Sequence, residues 1–290
     1  MKLRKPRDQD ARRILIYGPP GVGKTTLAAD APSPIVLPVE DGLGDLDVAS
    51  LERPATWSEV IEAIASVATE EHEYRTLVID SLTALEGLAH AHMMSRDRRR
   101  PESIDQWEGG YNKWRQSALD FAWRPLQRAC DRVIDRGISV VMIAHSVVRA
   151  HKDPESEGWD EHSPQLEPLA AGAMIQWSDD VLFARFEEAR VTDTSGHTKG
   201  QSTGRRVLHT EHSATAVAKS RRALPRTIVM DRDRPWAALG AALAAPTPTG
   251  DVRAEIEGLL ATRPILRTRV EQAIAKGGDV HKIRDSLKGA

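Results

Sequence analysis

The 290-residue sequence predicts a three-layer α/β fold with a mainly parallel central sheet and a small helical C-terminal tail. Short apolar runs at Arg13–Tyr17, Ile35–Glu40, Thr76–Asp80 and Ile138–Ala144 read as buried strands, and segments with helical periodicity stand between them. That alternation is the pattern of a sheet covered by helices on both faces. By composition the chain divides into a basic arm over 1–12, a core over 13–243, a Pro/Thr-rich linker over 244–250 and a tail of mixed charge and helical periodicity over 251–290.

Arg13-Ile-Leu-Ile-Tyr17 ends in glycine, and a helix is expected from about Lys24 to Asp30. Pro38 would forfeit a ladder hydrogen bond in a central strand, so Ile35–Glu40 belongs at or near a sheet edge. Thr56-Trp-Ser-Glu59 has the spacing of a capping box, and Trp57, Val60, Ile61, Ile64 and Val67 form one helical face. A helix through Leu82, Leu85 and Leu88 leads into the polar stretch Ser95–Asn112, and Trp114–Arg136 reads as a long helix kinked at Pro125. Gly137 ends it and the strand Ile138–Ala144 follows. The polar segment Ser146–Pro168 is long enough to suggest a functional loop. Val181–Phe186 and Arg206–His212 read as a hairpin, with Arg226–Met230 as a further strand.

Composition narrows the classes. With 40% hydrophobic and 28% charged residues, a chain of this length buries a core without disulfides or structural metal. Its one cysteine, Cys130, excludes an intrachain disulfide and reads as a small buried hydrophobe, which fits a reducing, cytoplasmic setting. No segment approaches the roughly 18 apolar residues of a membrane span. No apolar stretch follows the basic Met1–Arg13, so neither membrane nor signal peptide is expected. The net charge of −2 excludes a generally basic surface but leaves room for one basic stripe. His90 and His92 are two apart on a helix and do not face one another, which speaks against zinc.

Gly18-Pro19-Pro20-Gly21-Val22-Gly23-Lys24-Thr25 fits the phosphate-loop pattern G-x-x-x-x-G-K-[ST] in full, with Thr26 next, after a strand and before a helix. Its glycines let backbone N–H groups approach phosphate oxygens. Lys24 is placed to reach the β- and γ-phosphates of ATP, and Thr25 to ligate Mg²⁺. Asp80, delivered by the apolar strand Leu77-Val-Ile79, would hold the same magnesium from the other side.

Ring-forming AAA+ ATPases usually carry Glu after that Asp; here it is Ser81, so a base must come from elsewhere. Glu40, at the carboxyl end of its strand, is the candidate, with a surface glutamate beside Asp41 and Asp45 as the competing reading. His145 ends the Ile138–Ala144 strand, either as a γ-phosphate sensor or as a capping histidine bonded to backbone. Lys219 and Arg221, two apart on a strand, share a face; a solvated basic patch is the alternative to a catalytic role.

Together Gly18–Thr26, Val39–Gly42, Leu77–Thr83, Gly109–Asn112, Val141–Ser146, Trp177–Asp180 and Lys219–Pro225 make the chain resemble the phage-type RecA-like ATPases, linked to single-strand annealing and recombination, over about 15–230. The resemblance implies a RecA-like P-loop core, ATP, magnesium, a homo-oligomeric ring or filament, single-stranded DNA as partner and a setting in the bacterial host's cytoplasm. It is compatible with a single-strand-binding protein as a further partner. It makes Glu40 the catalytic carboxylate and His145 the sensor, and lets Lys219 and Arg221 reach a neighbour's ATP. It also makes Ser95–Asn112 and Ser146–Pro168 the loops that face DNA. The first offers Arg96, Arg98, Arg99, Arg100, Trp107 and Tyr111, cations beside stacking aromatics; the second offers Arg149 and Lys152 among acidic residues. Solvated polar loops are the plain alternative.

Two other functions compete. One is a nucleotide-gated module that hardly hydrolyses ATP and recruits protein partners. The other is a small-molecule kinase with Arg96–Arg100 as its lid.

Overall fold

Leu15, Ile16 and Tyr17 have no exposed surface, because the strand that carries them lies between parallel neighbours and is covered on both faces. The computed structural model describes residues 11–151, 157–192 and 198–245 and, in the tail, 260, 266, 267, 270–272, 286 and 287; the side chains of 189–202 lie outside this description. The chain separates into two units, Met1–Ala244 and Ala245–Ala290. Within the second, Leu260, Val270 and Leu287 are buried. Most of the basic arm, the linker and the tail lies outside the described residues.

The strands are β1 (Arg13–Gly18), β2 (Pro34–Pro38), β3 (Ala49–Ser50), β4 (Thr76–Asp80), β5 (Ser139–His151), β6 (Trp159–Pro164), β7 (Asp180–Thr192), β8 (Thr198–His209), β9 (Lys219–Ser220) and β10 (Thr227–Met230). The helices are α1 (Lys24–Ala29), α2 (Trp57–Thr69), α3 (Leu82–Arg96), α4 (Lys113–Ala118), α5 (Arg124–Asp135), α6 (Pro168–Trp177) and α7 (Ala237–Ala244), with a 3₁₀ turn at Ile104–Gly109. The sheet order is β10-β8-β7-β1-β5-β4-β2-β3, with β6 on β5 and β9 on β7. Pairing is parallel from β7 to β3, and antiparallel where β8, β10, β6 and β9 join.

Side-chain alternation splits the core in two. Leu15, Tyr17, Leu77, Ile79, Val140 and Met142 pack with Val60, Ile64, Leu85, Leu126 and Val133 of α2, α3 and α5. Ile14, Ile16, Val78, Val141, Leu182 and Leu208 pack with Leu27 of α1 and Leu239 of α7. This is the expected α/β architecture, a central, mostly parallel sheet with helices on both faces. No helix among the described residues is long and apolar enough to cross a membrane.

Several local expectations hold for their stated reasons. β2 ends at Pro38 and has only the two-residue β3 beyond it. The Thr56 side chain accepts the Glu59 N–H, and Glu59 accepts in return from Ala55. Cys130 is fully enclosed, and burial pushes its thiol up to about 12. The long helix is interrupted by a π turn at Leu119–Trp123, directly ahead of Pro125, which has no N–H to donate and crowds the preceding turn.

One expectation is corrected. Ser146–Pro168 is not an open loop: β5 continues past His145 to His151 and pairs antiparallel with β6, from Ser146↔Pro164 to His151↔Trp159. The polar sequence conceals a strand because it projects from the core and needs no apolar face. Its Lys152 lies outside the described residues.

Candidate functional site

Parallel strands bring their carboxyl ends to one edge, and register lines up what they carry. Gly18 of β1 is opposite His145 of β5, and Pro38 of β2 is opposite Asp80 of β4. The N–H groups of Val39 and Glu40 both donate to the Asp80 carbonyl, at 2.7 and 3.3 Å, which fixes Glu40 beside the end of β4. Lys24, Thr25, Asp80, Glu40 and His145, picked out separately along the sequence, therefore meet in one place.

The loop Gly18–Gly23 needs its glycines for two different reasons. A Cβ on Gly18 would stand 2.2 Å from the Ala184 carbonyl oxygen of β7, so the loop can leave the sheet here only without a side chain. Gly23 has φ of 90°, in the left-handed region, and hands the chain to α1. Val22 is buried against the sheet while Pro20 and Gly21 are exposed, which presents the loop's backbone outward.

Lys24 is buried and folds over the loop, its Nζ donating to the carbonyls of Gly18 and Pro19 at 3.0 Å each. Burial lowers its pKa, opposed by the charges of Asp80 and Glu40. Thr25 Oγ1 donates to Asp80 Oδ2 at 2.6 Å. Burial holds the Asp80 carboxyl above its ordinary value; the Thr25 bond opposes this, Glu40 adds to it, and Lys24 and His145 oppose it. A hydroxyl and a carboxylate in contact, beside the phosphate loop, are the hard oxygen donors that suit Mg²⁺. The His145 Nε2 lies 3.5 Å from Glu40 Oε1, and the His145 N–H donates to Thr83 Oγ1 at 3.0 Å. Thr83 is in the first turn of α3, so His145 touches both the carboxylate and the helix that follows Asp80.

Lys219 and Arg221 lie elsewhere. β9 pairs with the first residues of β7, Asp180 and Val181, at the opposite end of the sheet. Asp180 aligns with Ile14, four residues and about 13 Å short of Gly18. Lys219 donates to the Gln176 carbonyl at 3.2 Å, and Arg221 pairs with Asp179 at 2.8 Å. Neither can act on nucleotide held by its own loop.

The basic segment is only partly as expected. Arg96, Arg98, Arg99 and Arg100 are exposed, and Tyr111 is 93% exposed. Trp107 is corrected: it is 5% exposed, packed into the main core by the 3₁₀ turn, and offers no free face to a base. Arg149 is half-buried, and its guanidinium donates to the Leu166 carbonyl at the foot of the β5–β6 hairpin. The run Arg96–Arg100 also stands a full α3 away from Asp80, about 22 Å for 15 helical residues, too far to close over the phosphate loop.

Sequence reading missed Arg206. Its Nη1 lies 2.5 Å from where a Cβ on Gly23 would be, so this guanidinium leans on the phosphate loop from β8. Alternation could have found it: Leu208 faces α1, so Arg206, two residues earlier, does as well.

Comparison with known proteins accords with this geometry. A family model described as an AAA domain matches residues 10–222. No curated protein matches the chain.

Proposed function

The chain belongs to the AAA-domain family, a family of nucleotide-binding ATPases, and on that footing we propose that it is a phage-type RecA-like ATPase that hydrolyses ATP with magnesium and acts on single-stranded DNA as an oligomer. The observation that carries the reading is the contact of Glu40 with His145 at 3.5 Å, beside Lys24 and the Thr25–Asp80 pair.

The phosphates take over the Lys24 amine from the Gly18 and Pro19 carbonyls, and the partly desolvated cation meets the anion it lacks. Thr25 and Asp80 would hold magnesium, which would neutralise phosphate charge. Glu40 takes the proton of a water whose oxygen forms the new bond to the terminal phosphorus, while the bond to the departing ADP oxygen breaks. His145 orients that carboxylate and, through Thr83, ties its state to α3. The other end of α3 carries Arg96 and the run that follows, and Arg99 of that run approaches Gly109, two residues before the exposed Tyr111. Exposed cations next to an exposed aromatic suit a single strand better than a duplex. Arg100, Glu108, Tyr111 and Asn112 all have positive φ, an unusual density of left-handed backbone for non-glycine residues, as functional segments tend to show.

The test is ATP hydrolysis with and without single-stranded DNA, for wild type, Lys24→Ala and Glu40→Gln. DNA-stimulated turnover that both variants lose is the expected result. Slow turnover indifferent to DNA would overturn the recombination reading and leave a nucleotide-gated binding module.

A further inference from the structure

On the side of the phosphate loop away from Asp80, β7, β8 and β10 leave an open pocket. Gly21, Phe186, Arg205, Arg206, Met230 and Arg232 line it. Phe186 is opposite Arg206 in the β7–β8 ladder, and Arg206 is opposite Met230 in the β8–β10 ladder, so the three share one row and one face of the sheet. That face belongs to α1. One step down the same strands the row is Ala184, Leu208 and Ile228, all apolar and packed in the α1 core. The apolar pattern is thus broken by an exposed phenyl ring and a guanidinium at the point where the sheet passes the loop.

Arg206 is unusual in two further ways. The pairing shifts between Phe186 and Glu188: between the Phe186–Arg206 and Glu188–Ser202 pairs, Glu187 alone on β7 stands against Thr203, Gly204 and Arg205 on β8, and Gly204 in this bulge has φ of 74°. Such bulges re-aim neighbouring side chains, and here the re-aimed guanidinium rests on Gly23. Among the described residues Arg206 forms no ion pair, although its neighbour Arg205 pairs with Glu187 at 3.4 Å. A half-buried arginine against a phosphate loop, without an acidic partner, lacks an anion.

We propose that Arg206 is a nucleotide ligand supplied in cis and that, with Phe186, it seats the nucleoside end of the triphosphate. This rests on the phosphate-loop reading above. The Thr25–Asp80 pair marks the metal-bound end of the triphosphate, on the β5–β4 side of β1. The chain of phosphates follows the loop, so its other end emerges on the β7–β8 side, where the pocket opens. Arg206 then contacts phosphate oxygens next to the ribose, and the base lies on the Phe186 ring with Met230 behind. Stacking is tolerant of base identity, so the seat recognises nucleoside triphosphates as a class.

The experiment is titration of wild type, Lys24→Ala, Arg206→Ala, Arg206→Lys and Phe186→Ala with ATP, GTP and inorganic tripolyphosphate in magnesium buffer, read by calorimetry. Unfolding in the absence of ligand is recorded for each as a check on folding. Arg206→Ala is expected to weaken ATP and tripolyphosphate alike by about tenfold or more, with Arg206→Lys intermediate. Phe186→Ala is expected to weaken ATP and GTP by a similar factor while leaving tripolyphosphate unchanged. Folded Arg206→Ala and Phe186→Ala proteins that bind ATP as wild type does, while Lys24→Ala does not, would overturn this proposal and leave the phosphate-loop reading intact. Wild type that binds no nucleotide would overturn both.

Discussion

The Glu40 carboxylate and the His145 imidazole meet 3.5 Å apart across the end of β4, the strand that delivers Asp80 between them. If Glu40 is the base, its orientation by a histidine that is itself tied to α3 through Thr83 would let a distant event switch it on or off. His145→Ala is expected to leave ATP affinity near wild type and to lower DNA-stimulated turnover about 10²-fold. Steady-state hydrolysis beside a binding titration separates the two effects. Undiminished stimulation would reduce His145 to a strand-end residue.

Asp80 gives a prediction about stability. Its folded-state pKa is raised, mainly by burial, so its contribution to stability is fully present below the unfolded value and is lost as pH rises through the folded one. Once ionised, the buried carboxylate is a liability without a cation to hold. Asp80→Asn is expected to raise the melting temperature of ligand-free protein by a few degrees, and the gap to wild type should close on acidification. The same variant should lose the stabilisation that magnesium and ATP give wild type. Thermal melts across pH, with and without nucleotide, check both halves.

Away from the site, Asp180 is fully buried and accepts from the Arg12 guanidinium at 2.7 and 2.9 Å and from Ser220 Oγ at 2.6 Å. Asp180→Ala strands the Arg12 charge and frees β9. A loss of about 3–5 kcal/mol in denaturant unfolding is expected. A loss below about 1 kcal/mol would mean that Arg12 finds water or another partner.

Lys219 and Arg221 stand at the wrong end of the sheet for their own nucleotide, so any catalytic part they play requires a neighbouring copy. Specific activity should then rise with protein concentration. Arg221→Ala, which gives up only a surface ion pair with Asp179, should be inactive alone yet regain turnover when mixed with Lys24→Ala, whose own loop is dead but whose Arg221 is intact. Absence of complementation, together with concentration-independent activity, would remove both residues from the mechanism.

For the exposed segment, Arg98→Gln with Arg99→Gln should weaken single-strand binding and reduce the slope of log affinity against log salt by roughly 0.7 per arginine. Tyr111→Ala should weaken binding without changing that slope. Fluorescence anisotropy with a labelled oligonucleotide at several salt concentrations measures both.

The core sheet was legible because buried parallel strands are written as unbroken apolar runs, and the phosphate loop because its backbone demands particular residues at fixed spacing. Glu40 and His145 could be placed at strand ends, but their mutual contact depends on the strand order, which one chain's pattern does not state. The β5–β6 hairpin was illegible for a different reason: Ser146–Pro168 projects from the core, and a solvated ladder leaves no hydrophobic alternation to read. Trp107 misled because an aromatic in a basic, polar stretch looks like a stacking platform, whereas a single 3₁₀ turn suffices to fold it into the core. Alternation puts Arg206 on the same face as Leu208, but that it touches the phosphate loop depends on the close approach of Gly23, which the strand pattern does not state.

β5 begins in the middle of the sheet and continues without a break for 13 residues to His151. There is no joint between the stretch that touches the phosphate loop and the stretch that projects beyond it. His145 stands near the fulcrum, and the six residues after it make an arm about 20 Å long. A tilt of about 5° there, no more than a slight change in sheet twist, carries the tip almost 2 Å. Were small adjustments around a bound nucleotide to tilt the strand there, the hairpin would amplify them into a displacement that a polymer held at its tip would feel.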